Sequence, residues 1–266
     1  MKKLLCILLT VLLILPVLAS CDDDIKYTPT ANTFVPNHVA PLYSEIDRSA
    51  IDSLDGVEVT SEQTDYVLIE IADYGKILIR LYPDVAPLTV ANFKKLVSQG
   101  FYDGLIFHRV IDNFMIQGGD PDGNGTGGSD EEILGEFSSN GFVNNLKHKR
   151  GVVSMARSDA PNSASSQFFI CHKTSQVEHL DGSYAAFGFV VYGMDVVDDI
   201  ADVKTNSSDK PIKDVVITSI KFVTVPEQSA KSDSSESSSD TSADTSSDTS
   251  ADTSNSASTD SYTKDY

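Results

Sequence analysis

Apolar side chains crowd into two runs near residue 70, Tyr66-Val67-Leu68-Ile69-Glu70-Ile71 and Lys76-Ile77-Leu78-Ile79-Arg80-Leu81. Both are rich in β-branched residues and flank Asp73-Tyr74-Gly75, so the pattern predicts a β-hairpin. From Pro87 the period lengthens, placing Val90, Phe93, Leu96 and Val97 on one side of a helix that Gly100 closes at its C′ position. Short strands and glycine-rich loops follow for roughly a hundred residues. Met194 to Val203 is the second helical pattern, with Val196, Val197 and Ile200 on one face, and Val215 to Val223 is the last strand. Many short strands with two helices predict a mainly β, closed structure.

Outside this region the pattern fades. Met1-Lys2-Lys3 and the apolar run Leu4 to Val17 have the layout of a signal peptide over residues 1–20, too short for a comfortable membrane span. Leu18-Ala19-Ser20-Cys21 follows, and small residues with Cys at the cleavage site read as a bacterial lipobox, whose Cys21 would carry lipid. An ordinary signal peptide with an incidental Cys is the alternative. Residues 21–63 are polar, punctuated by Pro29, Pro36 and Pro41, and read as a lipid-anchored flexible stalk in which Ser44 to Leu54 could form a short helix. Residues 64–226 form the domain. Residues 227–266 are a Ser/Asp/Thr tail with Asp-Thr-Ser recurring at Asp240, Asp244, Asp248 and Asp252, almost nothing apolar to bury, and expected disorder.

The net charge of −19 moves to −21 once Lys2 and Lys3 leave, which argues against nucleic acid or anionic lipid headgroups as partners. Of the three cysteines only Cys171 then stays free, in an apolar strand-like run, so no disulfide is available. His108, His148, His172 and His179 have no ligand spacing, and no metal site is expected.

The most distinctive stretch is FHRVIDNFMIQGGD, Phe107 to Asp120. It sets Arg109, a cation that cannot shed its charge, among Phe107, Phe114 and Met115, with the amide of Gln117 nearby. Such a placement is costly unless the guanidinium meets a partner. Further blocks follow in order: GNGTGG from Gly123, GVVSMAR from Gly151, SQFFI from Ser166, LDGSYAAFG from Leu180 and GMDVV from Gly193.

Together these six blocks resemble the cyclophilin family of peptidyl-prolyl cis/trans isomerases. The resemblance implies an eight-stranded antiparallel β-barrel capped by two helices, no cofactor, and rotation about X-Pro bonds. Carried over position by position, it implies Arg109 as the catalytic cation and Phe114, Met115, Phe169 and Leu180 as the proline pocket. Gln117 and Gln167 would bond the substrate backbone or hold Arg109, and Ala156 and Arg157 would line the groove. His179 and Tyr184 stand at rim positions where Trp and His are typical, so weak ciclosporin binding is expected.

Two further motif matches are weaker than their context. Asp120, Asp122, Asn124, Gly125 and Glu131 fit a calcium-loop spacing, but Phe114 to Gln117 reads as strand where a helix is required. Gly123, Gly125 and Gly128 satisfy G-x-G-x-x-G without opening an apolar-faced helix.

The resemblance and the lipobox together imply a monomeric isomerase held by lipid outside the cytoplasm at the bacterial cell membrane, with proline-containing, unfolded or exported polypeptides as expected partners. The alternative is a non-catalytic peptide-binding chaperone or an adhesin-like surface lipoprotein, which would need the groove but not Arg109.

Overall fold

A computed structural model describes residues 39–226 of the chain. The signal segment, Cys21 and the acidic tail lie outside the described residues. Within them run strands β1 (Glu58–Val59), β2 (Tyr66–Ile71), β3 (Gly75–Leu81), β4 (Arg109–Ile111) and β5 (Met115–Gly118), then β6 (Val152–Met155), β7 (Phe168–Cys171), β8 (Ala186–Tyr192) and β9 (Ile217–Thr224). Two helices, α1 (Pro87–Ser98) and α2 (Met194–Ala201), complete the architecture.

The strands form one antiparallel sheet in the order β1-β9-β2-β3-β8-β6-β7-β5-β4. Its ends meet: Ile217 donates to Leu105 O at 2.8 Å, Gly104 to Ile217 O at 2.8 Å and Phe107 to Val215 O at 2.9 Å, around the bridge Ile106–Val216. The approach to β4 thereby pairs with the start of β9 and closes the barrel, as expected. Eight strands make the ring. The ninth, β1, is a two-residue addition from the stretch read as stalk, pairing Glu58 and Val59 with Thr224 and Val223.

The predicted hairpin is β2–β3, and α1 starts on Pro87 and ends one residue before Gln99, with Gly100 at φ +66°. Ala86 offers no side-chain cap at the N-terminus of α1. The cap comes from far away: Glu136, fully buried, accepts the N–H groups of Leu88 at 3.0 Å and Thr89 at 2.8 Å. That satisfies two donors every helix leaves open and sets a negative charge at the positive end of the dipole. Phe93 on α1 seals the barrel, with ring centroids 5.6 Å from Phe168 of β7 and 5.2 Å from Phe187 of β8.

Residues 43–59 differ from the expectation of flexible stalk and short helix. Only Tyr43–Glu45 forms a helical turn, of the 3-10 type, and beyond it the chain is an ordered strap. Ile46 reaches the main core; Ile51, Leu54 and Val57 cover Leu68, Leu78, Val191 and Val223 on the outer face of the long strands. Ile51 N–H donates to Val191 O at 2.7 Å, and the Tyr82 hydroxyl donates to Asp47 O at 2.6 Å. A helix loses here because Asp47 and Ser53 accept from the backbone two residues on, at Ser49 and Asp55, while the sheet offers apolar cover to an extended chain.

Candidate functional site

Strand register places the site. Arg109 lies opposite Gln117, Gln117 opposite Phe169, and Phe169 opposite Ser154, a row across β4, β5, β7 and β6. Directly opposed residues point to the same face. One position along runs the companion row Val110, Ile116, Ile170 and Val153, every member at most 2% exposed and part of the main core. Period-two alternation thus sends one row inward and turns Arg109, Gln117 and Phe169 toward a groove, while Ser154 stays buried behind it.

That groove is a cavity of about 530 Å³. Arg109, Phe114, Met115, Gln117, Ala156, Arg157, Phe169, Leu180 and Tyr184 all line it. Met115, Phe169 and Leu180 are buried and form its apolar floor. Tyr184 stands edge-on to Phe169, centroids 5.9 Å apart, as one wall. Behind Phe169, the His148 ring stacks at 6.2 Å and is fixed by Asp181 Oδ1 on one nitrogen and Ser154 Oγ on the other, both at 3.0 Å. Burial alone would raise the Asp181 carboxyl, but the bonds from His148 hold it below its ordinary range.

Two expected residues lie just outside the lining. His179 stacks on the outer side of Phe114, with centroids 5.8 Å apart and planes 19° apart, so it props the wall. Gln167 is a relay: Gln117 Nε2 donates to its Oε1 at 2.8 Å, and its own Nε2 reaches Gly127 O at 2.7 Å and Gly125 O at 3.2 Å. The two amides bond each other and the glycine loop, and neither bonds Arg109 among the described residues. Arg109 instead faces Asp209, Nε to Oδ2 at 3.7 Å, with both side chains close to half exposed.

Gly119 shows why this segment needs glycine. Its φ is +84°, and a Cβ there would sit 2.5 Å from Ser166 O. The following loop explains the calcium-like spacing. Asp120 is buried and accepts from the backbone of Asp122 at 2.9 Å, Asn124 at 3.0 Å and Gly125, so its carboxylate is spent on its own turn. Burial opposes ionisation of Asp120, yet those N–H groups bring its carboxyl below the usual range. Among the described residues no group of three or more His, Cys, Asp or Glu is arranged to hold a metal ion.

Sequence reasoning missed four lining residues that matter: His108, Asn206, Ser208 and Lys210. His108 is 4% exposed, has no protein partner on either ring nitrogen, and burial lowers its pKa. Only adjacency to Arg109 could have flagged it. The segment 206–210 carries no local signal at all; Val110 N–H donating to Asp209 O at 2.8 Å is what brings it to the groove. Cys171 is fully buried and its thiol is pushed up by that burial, consistent with a small core residue.

Comparison with known proteins gives concordant findings. The family model for cyclophilin type peptidyl-prolyl cis-trans isomerases matches residues 66–222. A peptidyl-prolyl cis-trans isomerase-like 1 of Gibberella zeae is 43% identical over 155 residues, covering 58% of this chain and 93% of that protein. An isomerase of Schizosaccharomyces pombe is 46% identical over 144 residues, covering 54% and 90%. A crystal structure of a cyclophilin type isomerase from Cryptosporidium parvum, in the presence of the dipeptide Ala-Pro, superposes with a TM-score of 0.54. It is 33% identical and covers 59% of this chain and 98% of that one.

Proposed function

The chain belongs to the cyclophilin-type peptidyl-prolyl cis-trans isomerases, and from that premise we propose that Arg109 acts catalytically, on exported polypeptides, from a lipid anchor at Cys21. The X-Pro bond turns slowly because the amide must give up its partial double bond, a barrier of ~20 kcal/mol. A catalyst has to bind the twisted amide better than either planar form.

Once resonance is lost the proline nitrogen regains a lone pair, and a donor aimed at it favours that state alone. Arg109 suits this because it stays protonated when dehydrated. The apolar floor of Met115, Phe169 and Leu180, with Phe114 and Tyr184 as walls, is the place for the ring while the preceding carbonyl swings. Asp209, beside Nε, leaves the Nη atoms of Arg109 to the substrate. Ala156 and Arg157 line the path of the peptide, and the Gln117–Gln167 pair steadies the floor against the glycine loop. The observation that carries this reading is a permanent cation on the lip of an apolar hollow.

Proline-limited refolding of a test protein by the full chain, beside its Arg109→Ala variant, tests it. A strong loss is expected, and equal rates would remove Arg109 from the mechanism. The anchor is supported by the order of charges, apolar run and lipobox up to Cys21. Labelled fatty acid should be incorporated into the protein and not into its Cys21→Ser variant; equal labelling of the two, or none of the parent, would end that part of the proposal. Export places the protein, as a monomer, among chains that fold after crossing the membrane. A peptide-holding chaperone without catalysis leaves Arg109 unexplained.

A further inference from the structure

We propose that the groove prefers prolines flanked by acidic side chains, an inference that rests on the isomerase reading and names its substrate class. The chain carries a net charge of −19, yet the cavity lining includes Arg109, Arg157 and Lys210 and not one Asp or Glu. On so acidic a protein, a carboxylate-free lining with three basic side chains is a local inversion of sign.

What holds the cations matters as much as their number. Arg157 Nε donates to Ser183 O at 2.9 Å, and its Nη1 donates to Ser158 O at 2.8 Å and Asp159 O at 3.2 Å. The guanidinium carbon lies 4.7 Å from the Tyr184 ring centroid and 5.1 Å from that of Phe137. Lys210 Nζ donates to Gly123 O at 2.9 Å. All these partners are neutral acceptors or ring faces. Neither cation has a carboxylate within ion-pair distance among the described residues, whereas Arg109 has Asp209. Carbonyls and aromatic faces fix a cation's position without cancelling its charge. Arg157, held at several points, is already ordered, so a carboxylate that pairs with it costs little further side-chain entropy.

The two cations adjoin different parts of the groove. Arg157 covers the Tyr184 wall, while Lys210 follows Asp209, the residue that faces Arg109. A peptide threaded past Arg109 would meet one near the ring pocket and the other near the catalytic cation. The acidic surface as a whole repels such a peptide at long range, but with a Debye length of about 8 Å at physiological salt that repulsion is screened while contact pairs survive.

Rotation rates for short peptides with Glu, Ala or Lys immediately before or after the proline test this, read by NMR exchange on the full chain so that no coupling protease adds its own preference. Near physiological salt, kcat/KM for Glu peptides should exceed that for Ala peptides by about two- to fivefold at one or both positions, with Lys peptides lowest. The Glu-to-Ala ratio should fall toward one in Arg157→Gln or Lys210→Gln, and at about 1 M salt. Turnover of Ala peptides with no Glu advantage, or with the same ratio in both variants, overturns the acidic preference and leaves the isomerase intact. Absence of turnover on every peptide overturns both.

Discussion

The barrel has two unlike flanks. On one side β2, β3, β8 and β9 run six to eight residues each; on the other β4, β5, β6 and β7 run three or four. The long strands bury their inner face in the core and their outer face under the strap of Ile51, Leu54 and Val57. The short ones hand the chain quickly to loops, and those loops bring Gly125, Arg157 and Tyr184 to the groove, where the α2–β9 connection adds Lys210. Cooperative order is thus concentrated where no chemistry is expected, and a rigid frame presents loops where it is.

Removing the element shared by both flanks should have the largest effect. Phe93→Ala empties the ring that touches Phe168 and Phe187, and should cost ~3–5 kcal/mol in urea unfolding; a loss below about 1 kcal/mol would mean that the flanks do not share one core. Arg109→Ala separates them most sharply. It should lower kcat/KM by ~10²–10³, which is ~3–4 kcal/mol, while leaving the unfolding midpoint nearly unchanged, because the side chain is about 41% exposed. The mirror experiment starts the chain at Ser61, stripping the strap. Stability should drop by ~2–3 kcal/mol through uncovering Leu68, Leu78 and Val191, with kcat/KM of the folded protein retained. A matching loss of activity would show that the long flank shapes the groove.

His172 offers a finer cut. Its N–H donates to Phe114 O at 2.9 Å, its Nδ1 accepts the Asn113 N–H at 3.0 Å, and its Nε2 faces Asp198 at 3.0 Å. The Asn113 bond fixes the tautomer with hydrogen on Nε2. His172→Ala should cost ~1–2 kcal/mol and reduce kcat/KM a fewfold by loosening the turn that aims Phe114; unchanged kinetics would assign it to stability alone.

The smallest effect is with pH. Asp120, Asp181 and Asp198 have folded carboxyls below their ordinary range, so the stability they contribute is complete above about pH 4 and fades as pH falls through the lowered folded values. Burial raises Glu136 despite its bonds from Leu88 and Thr89, so its contribution runs the other way and grows on acidification. Urea titrations between about pH 5 and 3 should show a net decline that Asp181→Asn blunts and Glu136→Gln steepens.

Much of the frame was legible from local pattern. Dense β-branched runs around Asp73-Tyr74-Gly75 and the Pro87-to-Gly100 helix carry their own signals, since alternation, capping and turn chemistry act within a few residues. The string from Phe107 to Asp120 pointed to Arg109, Phe114, Met115 and Gln117, all of which line the groove. Relations between distant residues were not legible. The strap was misread as stalk because its apolar residues are sparse and find their partners only on a finished sheet. Glu136 capping α1, Asp209 facing Arg109 and Lys210 entering the groove each join segments separated by tens of residues.

By itself, then, the sequence determined the β2–β3 hairpin, the two helices, the last strand and which residue types could do the chemistry, because those depend on side-chain pattern along the chain. The register that carries the row from Gln117 to Phe169 and Ser154, and the sign of the charge around it, were decided only by tertiary pairing of β5 with β7 and β7 with β6 and by the closure that brings the approach to β4 against the start of β9. Closure is a long-range event, and its partners carry no mark in the chain that precedes them.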